Sequence, residues 1–238
     1  MSARDLLQLE PIAFLRSSYK QKFAIPRQPN LVREAVGEIV FEPRFADVNA
    51  LRGLEHFSHV WLLFLFHETA EQGWSPTVTP PRLGGSAKVG VFASRSTFRP
   101  NPVGMSAVEF GDYAQRGKQL ILRVRGIDLL DGTPIIDIKP YVPYADAVPG
   151  ARGGYASEPP PEPLDVVFTE PARQQLAPCL CERPELEAFI IAVLRQDPRP
   201  AVHVRQAQLR EYAMFLHDLN IRWQVSDGMC TVTAVEKP

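Results

Sequence analysis

Between residues 12 and 146, short hydrophobic stretches alternate with turn residues, and helical spacing is scarce. Alternation of apolar and polar positions over about four to eight residues is typical of β-strands. The pattern predicts one short helix around 45–54 and seven strands, at 12–19, 37–42, 58–66, 87–93, 103–110, 119–125 and 133–139. Seven short strands favour a sandwich or a closed barrel, with the helix as a plug or cap.

Two of these strands differ in the faces that they should bury. Residues 58–66 are apolar on both faces, which predicts a central strand. Residues 119–125 alternate aliphatic positions with arginines at 123 and 125, which predicts one face toward water.

After residue 146 the pattern changes. The stretch AVPGARGGYASEPPPEP is dense in Gly and Pro, which predicts a linker at 147–163 between domains at 1–146 and 164–238. In the second domain, helical spacing occurs at 185–195, and strand-like runs occur at 212–219, 221–225 and 229–235. The predicted fold class is therefore mainly β, an N-terminal closed β-barrel followed by a small C-terminal α+β domain.

Composition is that of an ordinary globular protein. Of the 238 residues, 45% are hydrophobic and 22% are charged, close to the usual values. The longest apolar run, 60–66, has seven residues, far short of the roughly 20 that span a bilayer. The first ten residues lack the apolar stretch of a secretion signal, so we expect a cytoplasmic protein without a membrane segment.

Potential metal ligands lack the spacing of a metal site. A lone C-x-C and one isolated cysteine form no paired set, so we expect reduced thiols at Cys179, Cys181 and Cys230. No H-E-x-x-H pattern surrounds the pair His67-Glu68. We therefore expect no bound metal.

Charge is distributed unevenly along the chain, although the net charge is only −1. Residues 82–125 contain eight basic and two acidic side chains, a net charge of +6. Such a block would serve a surface that binds a polyanion such as RNA, and an ordinary solvated surface is the alternative.

Three loop segments carry candidate chemistry. In SRSTFRPNPVG, residues 94–104, prolines hold the backbone extended around Arg95 and Arg99, and a stiff backbone lowers the entropy lost when a guanidinium binds an anion. The segment AIPRQPN, residues 24–30, and the pair His67-Glu68 each follow a predicted strand. Arginines solvating a surface loop remain the alternative for the first segment.

The segment 129–146 is the next candidate. Asp131-Gly132 fits a tight turn, and Asp137 and Lys139 share one face of the strand that follows. Tyr144 and other aromatic residues lie just beyond, where they could stack on bases. An ordinary ion pair explains Asp137 and Lys139 about as well as a site does.

Several enzyme classes are excluded by missing motifs. No G-x-G-x-x-G follows a strand, no G-x-x-x-x-G-K-[ST] occurs, and strands do not alternate with helices. Rossmann-type dinucleotide-binding domains, phosphate-loop proteins and Rossmann-type methyltransferases therefore do not fit.

With these segments identified, the sequence resembles the TrmO family, also called TsaA-like or YaeB-like, of S-adenosylmethionine-dependent tRNA N6-methyltransferases. The resemblance rests on five blocks: PRQPN at 26–30, LRGLEHFSHVWLLFLFHE at 51–68, VGVFASRSTFRPNPVGMSAVE at 89–109, GIDLLDGTPIIDIKPYVPYAD at 126–146 and DPRPAV at 197–202. Thr97 and Val202 depart from residues that are frequent in the family, Pro and an aromatic residue respectively.

The resemblance implies a non-Rossmann, TsaA-like barrel and a homodimer that binds S-adenosyl-L-methionine near the subunit interface. It implies methylation of N6-threonylcarbamoyladenosine at position 37, in the tRNA anticodon loop. The implied cofactor-binding residues are Pro26, Arg27, Gln28, His67, Glu68, Arg95, Met105, Leu130, Asp131, Gly132 and Thr133.

Roles for other residues follow as hypotheses. The acceptor nitrogen must lose a proton, so we predict Asp137 as a general base with Lys139 or Tyr144 orienting it. Phosphate contacts are predicted for Lys88, Arg99, Arg123 and Arg125. Two alternatives remain: a non-catalytic RNA-binding barrel, and a small-molecule methyltransferase on the same fold.

Overall fold

The structure is a computed structural model that describes residues 8–84, 87–158, 163–204 and 209–237. Within these ranges, the part before residue 147 contains a short helix α1 (Pro143–Asp146) and eight strands: β1 (Ala13–Ser17), β2 (Val36–Phe41), β3 (His59–Leu65), β4 (Thr77–Val78), β5 (Val89–Gly90), β6 (Val103–Arg116), β7 (Gln119–Arg125) and β8 (Pro134–Pro140).

Six of these strands close into a barrel, as the alternating pattern predicts. Their order is β1-β2-β7-β6-β3-β8, all antiparallel, and β8 returns to β1 through the pairs Ala13–Ile135 and Phe14–Pro134. Inward positions fill the interior with aliphatic side chains, among them Leu15, Ile39 and Leu62. β3 lies between β6 and β8, which confirms that 58–66 is central.

Two predicted elements take a different form. Residues 87–93 do not enter the barrel: β5 pairs only with β4, and a 3-10 turn follows at Val91–Ala93. Val91 is buried and Phe92 is exposed, as in a strand, so the difference lies in the pairing partner, which local sequence does not set. The helix predicted at 45–54 is a series of 3-10 turns, of which the longest is Val48–Leu51.

One end of the barrel collects three connections. Because the strands are antiparallel, the ends of β1, β3 and β7 lie beside the starts of β2, β6 and β8. The connections 18–35, 66–102 and 126–133 therefore meet at this end, which we call the site end. The prolines of 94–102 shape the second connection, and Phe66 N–H donates to the Pro102 carbonyl at 2.8 Å.

The C-terminal part is a four-stranded sheet with helices on it. Its elements are β9 (Asp165–Phe168), α2 (Glu170–Leu180), α3 (Leu186–Arg195), α4 (Ala201–Val204), β10 (Glu211–Leu216), β11 (Leu219–Ser226) and β12 (Met229–Glu236), with sheet order β10-β11-β12-β9. The helix at 185–195 and the three later strands are confirmed, whereas β9 and α2 were not predicted. No helix in the described ranges is long and apolar enough to cross a membrane.

The segment after β1 packs against the C-terminal part. Ser18 Oγ lies 2.9 Å from His217 Nε2, and the His217 N–H donates to the Ser18 carbonyl at 2.9 Å. Phe23 stacks on the buried Trp223 with ring centroids 6.5 Å apart. The C-terminal part thus helps to fix the connection 18–35 at the site end.

Candidate active site

The loop that carries Pro26, Arg27 and Gln28 is fixed to the barrel through Asn30. Asn30 takes a positive φ of 64°, its N–H donates to the Gly126 carbonyl at 2.8 Å, and its side-chain amide donates to the Ala107 carbonyl at 2.9 Å. Pro26 is buried by this arrangement, and the side chains at 27 and 28 stay exposed.

Arg95 joins this loop from the second connection. Its Nη1 donates to Gln28 Oε1 at 2.6 Å, although the two residues are 67 positions apart. Ser94 Oγ caps the preceding turn by donating to the Val91 carbonyl at 2.8 Å. The structure therefore brings together two of the segments that the sequence singled out by charge and position.

His67 and Glu68 follow the end of β3, at the start of the second connection. Glu68 Oε1 lies 3.7 Å from His67 Nε2, and Glu68 Oε2 lies 3.8 Å from Lys22 Nζ. Both Glu68 and Lys22 are exposed, so this contact orients the carboxylate with little gain in stability. Among the described residues, no three His, Cys, Asp or Glu side chains gather in a way that would hold a metal.

The turn Leu130–Thr133 closes the same end. Asp131 Oδ1 accepts the Ser17 N–H at 2.8 Å, and its Oδ2 lies 2.7 Å from Lys20 Nζ. Gly132 takes a φ of 77°, which favours glycine, and a Cβ there would meet no atom within 4 Å. The turn therefore has an open side, where a ligand could approach the backbone closely.

Asp128 belongs to this end, and sequence reasoning missed it. Its Oδ1 accepts a hydrogen bond from the buried Ser106 hydroxyl at 2.6 Å. Burial raises the pKa of Asp128 to about 6, and the Ser106 bond and the Arg95 charge limit that rise. The available signal was its place in the block GIDLLDG, three residues before Asp131.

The predicted general base lies on β8, where Asp137 and Met105 flank Leu63 on the outer face of the barrel. Asp137 and Lys139 share one face of β8, as predicted, and their side chains pair at 2.8 Å while 44% and 62% exposed. Tyr144 lies in α1, past the opposite end of β8, and is 92% exposed. Within one chain, the structure does not bring Tyr144 to the site end.

Comparison with known proteins then decides the family. The tRNA-methyltransferase O N-terminal domain matches residues 14–147, and the TrmO C-terminal domain matches residues 161–238. An Escherichia coli protein named tRNA (adenine(37)-N6)-methyltransferase is 49% identical over 96% of this chain and 97% of its own. The chain belongs to the TrmO family.

Two further similar proteins come from Pseudomonas aeruginosa. One is 48% identical over 90% of this chain and 91% of its own length. It carries the provisional name S-adenosylmethionine-dependent methyltransferase RcsF. A solved structure of TrmO from the same species has a TM-score of 0.78 at 40% identity, covering 97% of this chain and 98% of that chain. The barrel and the C-terminal part are thus both similar to solved TrmO.

The donor that TrmO membership implies, S-adenosylmethionine, can be tested against the residues present. Its methionyl carboxylate would match the exposed guanidiniums of Arg27 and Arg95, and its amino group and ribose hydroxyls would match the carboxylates of Glu68 and Asp131. The open side of the turn at Gly132 leaves room beside backbone groups. The donor set of the site end therefore fits this molecule.

The predicted RNA contacts of this TrmO chain divide into two pairs. Arg123 is engaged by Glu38 at 3.3 Å and Asp112 at 2.8 Å, and Arg99 Nη1 donates to the carbonyls of Val91 and Ser94. The other two predicted contacts, Lys88 in the second connection and Arg125 at the end of β7, have exposed side chains.

Proposed function

We propose that this chain transfers the methyl group of S-adenosyl-L-methionine to N6 of N6-threonylcarbamoyladenosine at position 37 of tRNA. The observation that carries the proposal is the meeting, at one end of a closed barrel, of three connections whose side chains suit the donor. Arg95 and Gln28 in hydrogen-bond contact are its clearest sign.

Each group at the site end has a defined task in this proposal. Arg95 or Arg27 pairs with the methionyl carboxylate, and Glu68 or Asp131 accepts from the amino group or a ribose hydroxyl. Backbone groups of Leu130–Thr133, together with Met105, His67 and Pro26, line the adenosine. The bound donor supplies a methyl group on a positively charged sulfur, so the chain's main work is to position the acceptor in line with it.

A second copy of the chain fits the outer face of the barrel. Leu63 of β3 lies between Met105 of β6 and Asp137 of β8, and Leu65 pairs with Val103. This half-exposed apolar face supports a homodimer with the donor near the interface. Sedimentation at twice the chain mass of 26.6 kDa would be the expected result.

Positively charged side chains bring the tRNA, which carries the acceptor nitrogen, to the site end. Lys88 and Arg125 are free to contact phosphates of the anticodon loop, with Arg99 and Arg123 as further contacts. The sequence predicts Asp137, with Lys139 or Tyr144 orienting it, as the general base.

Calorimetry with S-adenosylmethionine, followed by mass spectrometry of tRNA nucleosides, tests the proposal. Arg95→Ala should weaken donor binding about tenfold or more, because a charge-assisted contact is lost. Arg116→Ala is the matched control, since Arg116 is exposed at the opposite end of β6. Binding of tRNA without the donor would indicate a non-catalytic barrel, and binding of the donor with no tRNA product would indicate a small-molecule methyltransferase.

A further inference from the structure

Asp128 has the most enclosed setting among the acidic groups described at the site end. It lies on the connection between β7 and β8, two residues before the turn Leu130–Thr133. The hydrogen bond from Ser106, at 2.6 Å, fixes Oδ1. By contrast, both oxygens of Asp131 already face donors of this chain, Ser17 and Lys20.

Asp128 interacts electrostatically with two titratable side chains. The positive charge of Arg95 favours the ionised carboxylate. Burial raises the pKa of Tyr19, and the negative charges of Asp128 and Glu34 raise it further. Asp128 is therefore within electrostatic reach of both Arg95 and Tyr19.

Tyr19 supplies an independent observation. Its ring is fully buried against Phe189, and its hydroxyl has no hydrogen-bond partner among the described residues. A buried hydroxyl is ordinarily paired, so a polar group without a partner calls for an explanation. The Tyr19 hydroxyl is therefore an unpaired buried donor within electrostatic reach of Asp128.

We propose that Asp128, held by Ser106, is the catalytic residue that takes the proton from the acceptor nitrogen during methyl transfer. The inference rests on the proposed function and replaces Asp137 in the role of base. Its geometric basis is the hydrogen bond from Ser106 at 2.6 Å and the position of Asp128 two residues before the turn at 130–133, where the donor is proposed to bind.

The chemistry of the acceptor explains the need for a base. The N6 lone pair is delocalised into the purine and the neighbouring carbonyl, so nitrogen becomes nucleophilic as its proton leaves. A new N6–carbon bond forms, the sulfur–carbon bond breaks with its electron pair remaining on sulfur, and the N6 proton passes to the Asp128 carboxylate. The products are the methylated nucleoside, S-adenosylhomocysteine and a protonated Asp128, which then releases its proton to solvent.

Asp128 is better suited to this step than Asp137, because Asp128 is enclosed. A carboxylate in a poorly solvated position holds a proton more strongly, and a base works best when its pKa approaches the working pH. Asp137 is instead ion-paired with Lys139 at 2.8 Å, and its Oδ1 already accepts the Ile138 N–H.

Single-turnover methylation of N6-threonylcarbamoyladenosine-containing tRNA, measured from pH 5 to 9 at saturating donor, tests the inference. The wild-type rate should rise with pH to a plateau with an inflection near 6, and Asp128→Asn should lower the plateau about 100-fold and remove the rise. Ser106→Ala should move the inflection to higher pH, because the bond that favours the carboxylate is lost. Asp112→Asn, at a carboxylate that is 63% exposed, should leave the profile unchanged.

Two measurements without turnover complete the test. Asp128→Asn should keep the donor dissociation constant within about threefold, because Asp128 is proposed to act on the acceptor. The folded-state pKa of Asp128 is raised, so wild type should lose stability relative to Asp128→Asn as the pH rises from about 4 through 6. Collapse of donor affinity in Asp128→Asn would instead make Asp128 part of the donor site and overturn the inference.

The two levels of proposal fail differently. If wild type yields no methylated nucleoside, the proposed function fails and the inference fails with it. If wild type methylates and Asp128→Asn keeps its rate and pH profile, only the inference fails. Loss of the rise in Asp137→Asn but not in Asp128→Asn would return the role to Asp137.

Discussion

Asp197 and Arg199 form a partly buried ion pair where the C-terminal part faces the barrel. Arg199 Nε and Nη2 donate to the two oxygens of Asp197, each at 2.7 Å, with side chains 13% and 22% exposed respectively. They border a pocket of about 240 Å³ whose other wall includes Pro26 and Arg27. A single pair of residues thus helps to shape the joint between the two parts.

Removing one charge from this pair should destabilise the protein. We expect Asp197→Asn to lower the free energy of unfolding by about 2 kcal/mol, because it leaves a poorly solvated guanidinium without its partner. Asp112→Asn is the control, since its bond to Arg123 lies at the surface and should change stability by about 0.5 kcal/mol or less. Denaturant unfolding measures both, and equal losses would contradict the expectation.

At the scale of elements, strand positions follow from sequence wherever one face is buried. β1 and β2 were predictable because each alternates core and surface positions, whereas β7 buries Leu120, Ile121 and Leu122 in succession. The segment 87–93 has the composition of a strand, yet it pairs only with the two-residue β4. Pairing partners are set by long-range contacts, which a local pattern does not contain.

The close pairing of β3 with β6 depends on one small residue. Gly104 faces Phe64 and Phe66, and a Cβ there would lie 2.4 Å from Phe64 Cε2. We expect Gly104→Ala to lower the free energy of unfolding by about 1–3 kcal/mol, because the rings must move within a packed interior.

Gly90→Ala provides the matched control for this element. A Cβ at Gly90 would meet no atom within 4 Å, and Gly90 has a negative φ of −59°. Thermal unfolding of both variants should show a loss for Gly104→Ala only. A comparable loss in Gly90→Ala would show that steric overlap at Phe64 is not the cause.

At the scale of the whole molecule, folding divides the basic block into two ends. Arg125 lies at the site end and Lys88 on the second connection, whereas Arg116 and Lys118 lie at the hairpin between β6 and β7, at the opposite end. All four side chains are exposed. Charge counted along the sequence therefore overstates the charge that any one surface presents.

Reversing charges at the two ends should separate binding from bulk electrostatics. Lys88→Glu with Arg125→Glu should weaken tRNA binding at least tenfold, with a slope of affinity against salt that is shallower by roughly one to two. Arg116→Glu with Lys118→Glu makes the same change in net charge at the far end and should have a smaller effect. Filter binding over a salt series measures the slopes, and equal effects would remove the site end from the RNA surface.

The candidate site was partly accessible from sequence for a physical reason. Segments such as 24–30 and 94–104 place charged groups in proline-stiffened loops after predicted strands, and those features are local. That Arg95 touches Gln28, or that Asp128 lies enclosed beneath Ser106, depends on chain segments far apart in sequence. Burial, and with it a raised pKa, exists only once those segments have packed.

The sequence by itself determined the mainly β character of this protein, its central strand, its stiff basic loops and the family that it resembles. Tertiary structure decided that six strands close the barrel, that three distant connections meet at one end, and which carboxylates are enclosed there rather than paired in solvent. The division follows from range: alternation and turn chemistry act between near neighbours, whereas closure and desolvation arise from contacts across the whole chain.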